Sequence, residues 1–384
     1  MSSKDKLIKI CIIDPLQVRG GQERVVFDLL NGLDSKIFDI HFCTSLNKQE
    51  LTSSLPTNVT IKYIDMNSKI SLLSIYKFYK YFKSNKFDLI NPHGTRSGLI
   101  ARIAAIFSGT KIIWTMHVLT ADFASRYHSI KKTTYLLVDK ILNAYTNKII
   151  TVANAMKIEL IKSENINPNK IDVVYNGIDQ KAITSKKNAN SFDLINELEI
   201  NNRIIIGTIS ILKEQKGIHI LIQAFKKLIE NFEEDTVHLI IVGDGPQKSK
   251  LQNMVAENYL KSKITFTGYQ TDIYNYLKIM DVFVLPSFYE GFPISLLEAM
   301  LLGKITIATA VNGVPELIED KKSGFLFTPG DSIKLSKILY KICERKQSYE
   351  YIGQNAQSRI EKYFLMDRFI HNTQSSYIEV ACKN

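Results

Sequence analysis

Short apolar runs alternate with longer amphipathic stretches along the first half of this chain. The apolar runs, which predict strands, cover residues 8–13, 39–43, 89–91, 111–115 and 148–152, and the helical patterns between them include residues 22–33 and 98–107. Strands that alternate with helices in this way are typical of a parallel sheet covered by helices on both faces. The pattern therefore predicts a doubly wound α/β domain.

The same alternation begins again at residue 203. Strand patterns at residues 204–208, 237–242, 264–267, 282–285, 305–308 and 325–327 each precede a helical pattern. The polar, irregular stretch 181–202 predicts a linker with a short helix, and a last helical pattern covers residues 365–380. The predicted fold class is α/β with two doubly wound, Rossmann-like domains, residues 1–180 and 203–364.

Composition agrees with two domains, because 384 residues with 45% hydrophobic side chains suffice for two separate cores. No apolar run is long enough to cross a bilayer, and the N-terminus lacks the pattern of a signal peptide, so we expect a cytoplasmic protein. The four cysteines are far apart in the sequence, at Cys11, Cys43, Cys343 and Cys382. Their spacing predicts neither a disulfide framework nor a metal site.

Positive charge is concentrated in the first half of the chain. The formal net charge is +11, and residues 1–180 carry 24 Lys and Arg against 15 Asp and Glu, whereas residues 181–384 carry 25 against 23. This asymmetry indicates an anionic partner, such as a membrane surface or a phosphorylated lipid carrier. Nucleic acid is the weakest candidate, because no helix-turn-helix, zinc-finger or aromatic-basic RNA motif is present.

Residues 69–86 form a basic amphipathic pattern within that half. Apolar side chains recur there at helical spacing, with lysines between them, at Leu72, Ile75, Tyr79 and Phe82. Such a helix either lies on an anionic membrane or covers the sheet and exposes its lysines to water. We favour the covering role, since every doubly wound domain needs such helices. Peripheral contact with the inner face of the cell membrane is the alternative.

The segment 286–304 carries the most informative chemistry. It follows an apolar strand pattern, breaks at Gly291 and Pro293, and continues as a helical pattern. Glu290 would then lie at the carboxyl edge of the strand, and Glu298 would lie within the helix. Two carboxylates beside a helix N-terminus suit the hydroxyls and the phosphate of a nucleotide-sugar. A solvated pair of glutamates at a helix start would give the same pattern.

Two further positions favour a diphosphate ligand. Gly20 and Gly21 lie between the first strand and its helix, where backbone N–H groups can approach a phosphate, and Arg19 and Arg24 flank them. A simple turn would give the same glycine pair. Lys216 follows a strand pattern and precedes a helical one, so its ammonium could neutralise a diphosphate leaving group.

Several segments in register resemble the retaining, GT-B-fold glycosyltransferases of family four. They are the Gly-Gly segment 20–26, the segment ending in His117, VVYNGID at 173–179, Lys216-Gly217, VGDGP at 242–246, Glu290-x7-Glu298 and NGVPELI at 312–318. The likeness spans residues 7–365. It implies a GT-B architecture, with two domains facing across a cleft and a C-terminal helix, in residues 365–384, that returns to the first domain.

The resemblance also implies the reaction. A hexose or N-acetylhexosamine would move with retained configuration from a nucleoside-diphosphate sugar, with a UDP-sugar favoured, to a glycan or lipid-linked acceptor. No metal and no cofactor beyond the nucleotide-sugar would be required. The chain is rich in lysine, asparagine and isoleucine, which is typical of a low-GC bacterial genome and fits an expected role in surface-polysaccharide or capsule synthesis.

Residue by residue, the resemblance implies that His117, Glu290 and Lys216 act in catalysis. The donor-binding residues that it implies are Gly20, Gly21, Lys216, Gly268, Tyr269, Glu290, Gly291, Phe292, Pro293, Ile294, Ser295 and Glu298. His93 and Arg96, which follow another strand pattern, are expected to bind the acceptor in the first domain. The second domain is expected to bind the nucleotide-sugar.

One position departs from the family pattern, because Ile211 stands where an arginine is usual. A missing guanidinium predicts weaker diphosphate binding unless Lys213, Arg19 or Arg24 substitutes for it. Because of this departure, a non-catalytic partner or a glycan-binding subunit remains an alternative interpretation of the protein's function. A sugar-nucleotide 2-epimerase is a further alternative, although its family motifs differ from those found here.

Overall fold

A computed structural model of the protein describes residues 6–16, 20–45, 55–66, 71–124, 129–185, 191–230 and 236–383. Contacts divide the chain into two compact units. The first unit comprises Met1–Gly177 and Met366–Asn384, and the second comprises Ile178–Leu365. The C-terminal helix thus belongs to the first unit, as the predicted fold class requires.

In the described part of the chain, a seven-stranded parallel sheet forms the centre of the first unit. Its strands are β1 (Ile8–Ile13), β2 (Phe38–Thr44), β3 (Thr60–Tyr63), β4 (Leu89–Pro92), β5 (Lys111–Met116), β6 (Lys148–Thr151) and β7 (Ile171–Val173). Their order across the sheet is β3-β2-β1-β4-β5-β6-β7. The register places Ile10 opposite Ile40 on one side and Leu89 on the other.

Helices of the first unit connect these strands, as parallel pairing requires. They are Gly21–Gly32, Leu72–Asn85, Thr95–Ser108, Thr120–Ala124, Ser129–Tyr145, Asn154–Glu164 and, from the end of the chain, Met366–Cys382. The helix Thr95–Ser108 stops at Gly109, whose φ of 74° is left-handed and whose N–H donates to the carbonyl of Ala105. Glycine adopts this terminating conformation without the strain that a Cβ would add.

The second unit has the same design with a six-stranded sheet. Its described strands are β8 (Ile204–Ile209), β9 (Val237–Val242), β10 (Ile264–Gly268), β11 (Val282–Leu285), β12 (Ile305–Thr309) and β13 (Phe325–Phe327), in the order β10-β9-β8-β11-β12-β13. Its helices are Gln180–Ser185, Ser191–Glu197, Ile218–Ile229, Lys248–Glu257, Tyr274–Ile279, Ile294–Leu301, Val314–Leu317, Ser332–Glu344 and Glu350–Tyr363. The predicted pair of doubly wound sheets is therefore confirmed.

The segment 181–202 contains more regular structure than a linker with one short helix. Its described part includes the end of helix Gln180–Ser185 and the whole of helix Ser191–Glu197. Both helices belong to the second unit. The contact boundary lies at Gly177, a few residues before the predicted domain end at 180.

Strands with both faces covered are the ones that the apolar pattern predicts. In Val237–Val242 all six residues are buried, because helices cover both faces of a parallel sheet. The pattern misses Thr60–Tyr63, an edge strand in which three of four residues are exposed. It also misses Ile171–Val173, which is only three residues long. An exposed edge strand and a three-residue strand have no long buried stretch, so neither contains a continuous apolar run.

The basic helix Leu72–Asn85 covers the sheet with its apolar face, which confirms the favoured role, and contact of its outer face with a membrane stays a prediction. Phe78 and Phe82 are buried in the core of the first unit, and Ile75 and Tyr79 pack against that core. The expected apolar face is wrong at Leu72, which is 82% exposed at the start of the helix. Across the described residues, no helix combines the length and the apolar character that a membrane span requires.

Candidate functional site

The strand order of each sheet reverses at one point, and these points locate the candidate site. In the first sheet the reversal lies between β1 and β4, and in the second it lies between β8 and β11. Ligands of doubly wound proteins bind beyond the carboxyl ends of the strands that flank such a reversal. Two sets of side chains lie there. Asp14, Gln22, His93 and His117 are termed the first-sheet edge, and Lys216, Ser287, Glu290 and Glu298 the second-sheet edge.

The turn that carries Lys216 is held against the loop that follows β11. Gly217 has a φ of 63°, and a Cβ at this position would lie 2.1 Å from the carbonyl oxygen of Pro286. Only glycine allows this approach of two backbones without strain and collision. The hydroxyl of Tyr289 also donates to Gln215 Oε1 at 2.6 Å. Two chain segments that are distant in sequence are thereby joined beside Lys216.

Lys216 and Glu290 form an ion pair at the second-sheet edge. Lys216 Nζ lies 2.6 Å from Glu290 Oε1, and the same oxygen accepts a hydrogen bond from Ser287 Oγ at 2.7 Å. The side chains of Lys216 and Glu290 are 19% and 9% exposed, so water screens their attraction less than it screens a surface pair. An ammonium has three N–H donors, and one salt bridge leaves donors for a phosphate.

Helix Ile294–Leu301 begins directly after Glu290 and supplies further donors. Its N-cap is Pro293, in an extended conformation with φ −74° and ψ 120°. The N–H groups of Ile294, Ser295 and Leu296 have no acceptor within the helix, because they belong to its first turn. The predicted donor-binding role of this helix start is therefore geometrically reasonable and stays a prediction.

Two residues of the predicted donor set, Gly291 and Phe292, are buried in the loop before that helix. The Phe292 ring packs against Phe364 of the same unit, with 5.3 Å between ring centroids, and only 4% of Phe292 is exposed. Phe292 thus anchors the loop through its side chain. Any contact of this residue with a ligand would involve its backbone.

Glu298 is hydrogen-bonded to a tyrosine of the same unit. Its Oε1 accepts a hydrogen bond from the hydroxyl of Tyr274 at 2.8 Å, and both residues are buried. Tyr274 was not predicted as a site residue, because a tyrosine that begins a short helix carries no distinctive sequence signal. The predicted role of Glu298 on ribose hydroxyls remains untested by this geometry.

The loop after β10 contains the predicted base-binding pair. Gly268 has a left-handed φ of 72°, and its carbonyl accepts a hydrogen bond from the N–H of Gly243 at 2.8 Å. Tyr269 is 50% exposed. These contacts join the ends of β9 and β10. The contact of Gly268 and Tyr269 with a base stays a prediction.

No arginine stands beside Lys216 in its own loop. Ile211 is partly buried, and its carbonyl accepts a hydrogen bond from the N–H of Lys213 at 2.7 Å. Arg24 forms a salt bridge with Asp28 on its own helix, with 3.0 Å between Nε and each carboxylate oxygen. Arg19 lies outside the described residues. The substitution of Lys213, Arg19 or Arg24 for the missing guanidinium stays a prediction.

The first-sheet edge brings together the two histidines that the sequence singled out. His93 follows β4, His117 follows β5, and His93 Nδ1 lies 3.0 Å from His117 Nε2. Burial lowers the pKa of His117 to about 4, and burial together with the neighbouring His117 lowers the pKa of His93 well below its usual range. Both rings are therefore neutral at pH 7, since a buried charge is costly.

Asp14 is the third titratable group of this edge, and no sequence motif marked it as a site residue. Its Oδ2 accepts from Gln22 Nε2 at 2.6 Å, and its Oδ1 accepts from the N–H of Leu16 at 2.8 Å. Burial raises the pKa of Asp14 to about 6, although both hydrogen bonds act to lower it. Gln22 also approaches the carbonyl of His93 at 3.5 Å, which links Asp14 to the histidines.

The predicted glycine pair lies at the start of helix Gly21–Gly32. Gly20 is its N-cap with an extended φ of −141°, which any residue can adopt. The Gly20 N–H donates to Glu23 Oε2 at 3.1 Å, so a carboxylate of the same helix already occupies this donor. The structure thus assigns Gly20 a capping role, and contact of Gly20 and Gly21 with a phosphate stays a prediction.

Arg96, the second predicted acceptor residue, is partly buried near the start of helix Thr95–Ser108. Three polar partners of His93 were missed by sequence reasoning. They are Asn91 in β4, Ser97 in the following helix and, through Asn91, Tyr377 in the last helix. Asn91 lies inside an apolar run, a signal that could have marked it. Tyr377 is 286 residues from Asn91, and nothing in its local sequence indicates this contact.

The described residues contain no group of three or more His, Cys, Asp or Glu side chains that could hold a metal ion. All four cysteines are free thiols, although Cys11 Sγ and Cys43 Sγ lie 3.4 Å apart on neighbouring strands.

Two doubly wound units, one with a Lys–Glu pair at its switch point, define a Rossmann-like enzyme of the GT-B class. The family model for "Glycosyl transferases group 1" matches residues 191–359, and the model for "Glycosyltransferase Family 4" matches residues 19–181. The chain belongs to this family of GT-B glycosyltransferases, as its motifs predicted.

Relatives and solved structures agree with this assignment over the whole chain. A UDP-Gal:alpha-D-GlcNAc-diphosphoundecaprenol alpha-1,3-galactosyltransferase of Escherichia coli is 28% identical and covers 99% of each chain. The capsular polysaccharide biosynthesis glycosyltransferase CapM of Staphylococcus aureus is 25% identical over 90% of this chain and 91% of its own. The crystal structure of Anabaena Alr3699/HepE in complex with UDP and glucose has a TM-score of 0.83, with 22% identity, and covers 97% of this chain and 100% of its own.

Proposed function

We propose that this glycosyltransferase moves a hexose or an N-acetylhexosamine from a UDP-sugar to a glycan or lipid-linked acceptor, with retention of configuration. The second unit would hold the nucleotide-sugar, and the first unit would hold the acceptor. The proposal needs no metal and no cofactor besides the nucleotide-sugar. The Staphylococcus aureus relative, whose name includes capsular polysaccharide biosynthesis, supports a place in bacterial surface-polysaccharide synthesis. The Escherichia coli relative, a UDP-Gal galactosyltransferase that acts on a diphosphoundecaprenol-linked GlcNAc, supports a UDP-sugar donor and a lipid-linked acceptor.

The Lys216–Glu290 ion pair is the observation that carries this proposal. It lies at the switch point of the second sheet, it is shielded from water, and a glycine that tolerates no side chain holds it in place. A buried ion pair costs desolvation energy, so stability alone is a weak reason for it. A diphosphate that binds near Lys216 would find a charged donor already oriented by Glu290.

The proposed transfer takes place on one face of the sugar. The bond between the anomeric carbon and the β-phosphate oxygen breaks, and its electron pair stays on the departing UDP. The acceptor oxygen bonds to the anomeric carbon from the same face, and its proton passes to the departing phosphate. Lys216 stabilises the charge that develops on that phosphate. Glu290, as a carboxylate, accepts hydrogen bonds from the sugar hydroxyls.

Thermal stability in the presence of nucleotides tests the donor assignment, because a ligand that binds only the folded state raises the melting temperature. We expect UDP and UDP-sugars to raise it more than GDP or ADP. In Glu298→Gln the shift with UDP should become smaller, whereas in Lys261→Gln, a change at an exposed lysine of the same unit, it should be unchanged. If no nucleoside diphosphate stabilises the protein, the replacement of arginine by Ile211 has abolished donor binding and the proposal fails.

Contact with an anionic membrane is a second part of the proposal, and it concerns the outer face of helix Leu72–Asn85. Leu72, Leu73 and Tyr76 are exposed at its start, by 82%, 59% and 50% respectively. Lys77, Lys80 and Lys83 are exposed farther along the helix, which contains no acidic residue. An apolar tip beside a basic surface suits anionic lipid headgroups, with the apolar side chains at the acyl boundary.

A further inference from the structure

A chain of side-chain hydrogen bonds connects the last helix of the protein to His117. The hydroxyl of Tyr377 donates to Asn91 Oδ1 at 2.5 Å, and His93 Nε2 lies 2.7 Å from the same oxygen. His93 Nδ1 then lies 3.0 Å from His117 Nε2. All four residues are buried in the first unit, and Tyr377 and Asn91 are entirely inaccessible.

The backbone determines the orientation of the Asn91 amide. Asn91 Nδ2 lies 2.9 Å from the carbonyl oxygen of Ile113, which can only accept a hydrogen bond. The nitrogen of the amide must therefore point toward Ile113, and Oδ1 must be the acceptor for its two other neighbours. Tyr377 donates its proton to Oδ1, and burial raises the pKa of Tyr377, so the hydroxyl keeps that proton.

The protonation of each histidine nitrogen follows from this orientation. Because Asn91 Oδ1 only accepts, His93 Nε2 must carry a hydrogen. A neutral imidazole has one N–H, so His93 Nδ1 is an acceptor, and His117 Nε2 must donate to it. His117 is neutral as well, because burial lowers its pKa to about 4. Its Nδ1 therefore carries a lone pair and no hydrogen.

The lone pair of His117 Nδ1 is available to a ligand. Within the described part of the chain no hydrogen-bond partner is recorded for this nitrogen, and His117 retains 8% exposure beyond the carboxyl end of β5. A lone pair repels a phosphate oxygen and accepts a hydrogen bond from a hydroxyl. The first-sheet edge is thus arranged to bind a hydroxyl group.

We infer that Tyr377, Asn91 and His93 are positioning residues that hold His117 in its Nε2–H tautomer, so that Nδ1 accepts a hydrogen bond from a hydroxyl of the sugar substrate. This inference rests on the proposed function, because it assigns the hydroxyl to a sugar. It gives the C-terminal helix a role at the site, because that helix supplies the first donor of the chain. Tyr377 acts only through Asn91 and His93.

Nitrogen-15 NMR of the histidine-labelled full-length protein tests the tautomer directly. We expect His117 in the wild-type protein to show a protonated Nε2 and an unprotonated Nδ1. His93→Phe keeps a ring against His117 but removes its acceptor, so both tautomers of His117 should become populated. His93→Gln should preserve the Nε2–H tautomer, since its amide can donate to Asn91 and accept from His117. Tyr377→Phe should give a smaller change in the same direction as His93→Phe.

Kinetics with the donor and acceptor separate positioning from folding. For His93→Phe we expect kcat/KM to fall at least tenfold while the affinity for UDP is unchanged. In His93→Gln a substantial part of the wild-type kcat/KM should return. His41→Phe is the matched control, because His41 is another buried histidine of the first unit, bonded instead to Tyr81 at 2.7 Å. It should leave the tautomer of His117 and kcat/KM near their wild-type values.

An Nδ1–H tautomer of His117 in the wild-type protein would overturn the inference. So would a His93→Phe variant that retains both the wild-type tautomer and the wild-type kcat/KM. If the wild-type protein transfers no sugar, the proposed function fails, but the NMR result still supports or overturns the positioning of His117. The two failures are therefore distinguishable.

Discussion

The two sheet edges share one architecture and differ in their electrostatics. The second-sheet edge carries a Lys216–Glu290 ion pair, whereas the first-sheet edge carries two neutral histidines and a carboxyl group with a raised pKa. Burial accounts for the difference. Lys216 and Glu290 lie 2.6 Å apart and compensate each other's charge, whereas among the described residues His93, His117 and Asp14 have no oppositely charged partner.

This difference indicates how one fold can serve two kinds of ligand. A diphosphate requires positive charge and N–H donors, which the second-sheet edge offers. A hydroxyl group can also bind to oriented, uncharged acceptors, which the first-sheet edge offers. The doubly wound scaffold supplies a switch point in each unit, and the side chains at that point decide the chemistry.

Removing the Lys216 ammonium should have the largest effect on activity, because its charge distinguishes the second-sheet edge from the first. In Lys216→Met we expect the transfer rate to fall roughly 100- to 1,000-fold, the effect of removing one preorganised hydrogen-bond donor from a transition-state site. The measurement is kcat with a UDP-sugar and acceptor, together with the melting temperature. Lys250→Met removes an exposed lysine that lies 3.8 Å from Glu214, and it should keep the wild-type rate. A rate for Lys216→Met within threefold of wild type would refute the assigned role.

Displacing the turn that carries this lysine should also disrupt the second-sheet edge. In Gly217→Ala the new Cβ would collide with the Pro286 carbonyl at 2.1 Å, at a left-handed φ of 63°. We expect a loss of roughly 3 kcal/mol in unfolding free energy, measured by urea denaturation. Gly303→Ala is the control, with a similar φ of 69° but no atom closer than 3.6 Å. It should lose only about 1 kcal/mol, and equal losses would contradict the collision.

A fall in pH should lower the unfolding free energy through His117, at the first-sheet edge. The folded-state pKa of His117, about 4, lies below the usual 6.5, so unfolding takes up a proton between these values. Stability from neutral His117 is complete above pH 6.5 and is lost as the pH falls toward 4. Between pH 7 and pH 5 the wild-type protein should lose about 2 kcal/mol more than His117→Gln.

Urea titrations of both proteins at each pH measure this difference. Asp14 acts in the opposite sense, because its raised pKa of about 6 makes its stability contribution fall as the pH rises from 3.8. That contribution is common to both proteins and cancels in the comparison. Parallel pH profiles for the wild-type protein and His117→Gln would show that His117 is not held neutral by the fold.

The smallest effect should come from replacing exposed lysines on helix Leu72–Asn85 of the first unit. Replacing Lys77, Lys80 and Lys83 by glutamine should lower binding to vesicles that contain anionic lipid, by about 1 kcal/mol per lysine near the membrane surface. Sedimentation with vesicles measures the binding, and neutral vesicles provide the comparison. A triple change at Lys334, Lys337 and Lys341, which are exposed on a helix of the second unit, is the control. Unchanged binding after the first replacement would exclude this helix as the membrane contact.

Much of the fold could be predicted from the sequence because parallel strands with two covered faces are continuous apolar runs. β1, β9, β11 and β13 begin and end where the pattern places them. The ends of β4, β5 and β11 indicated His93, His117 and Glu290, because ligands bind beyond the carboxyl edge of a parallel sheet. The edge strand Thr60–Tyr63 and the exposed Leu72 were mispredicted, since each depends on what covers the residue in space.

The sequence by itself determined the two doubly wound sheets and the identity of the polar side chains at their ends. Only the tertiary structure decided which of these side chains meet. Two contacts join segments that are distant in sequence, and no local pattern predicts them. Gly217 packs against Pro286, and Tyr377 forms a hydrogen bond with Asn91. The raised pKa of Asp14 and the lowered pKa of His117 likewise arise from burial, which exists only after the chain has packed.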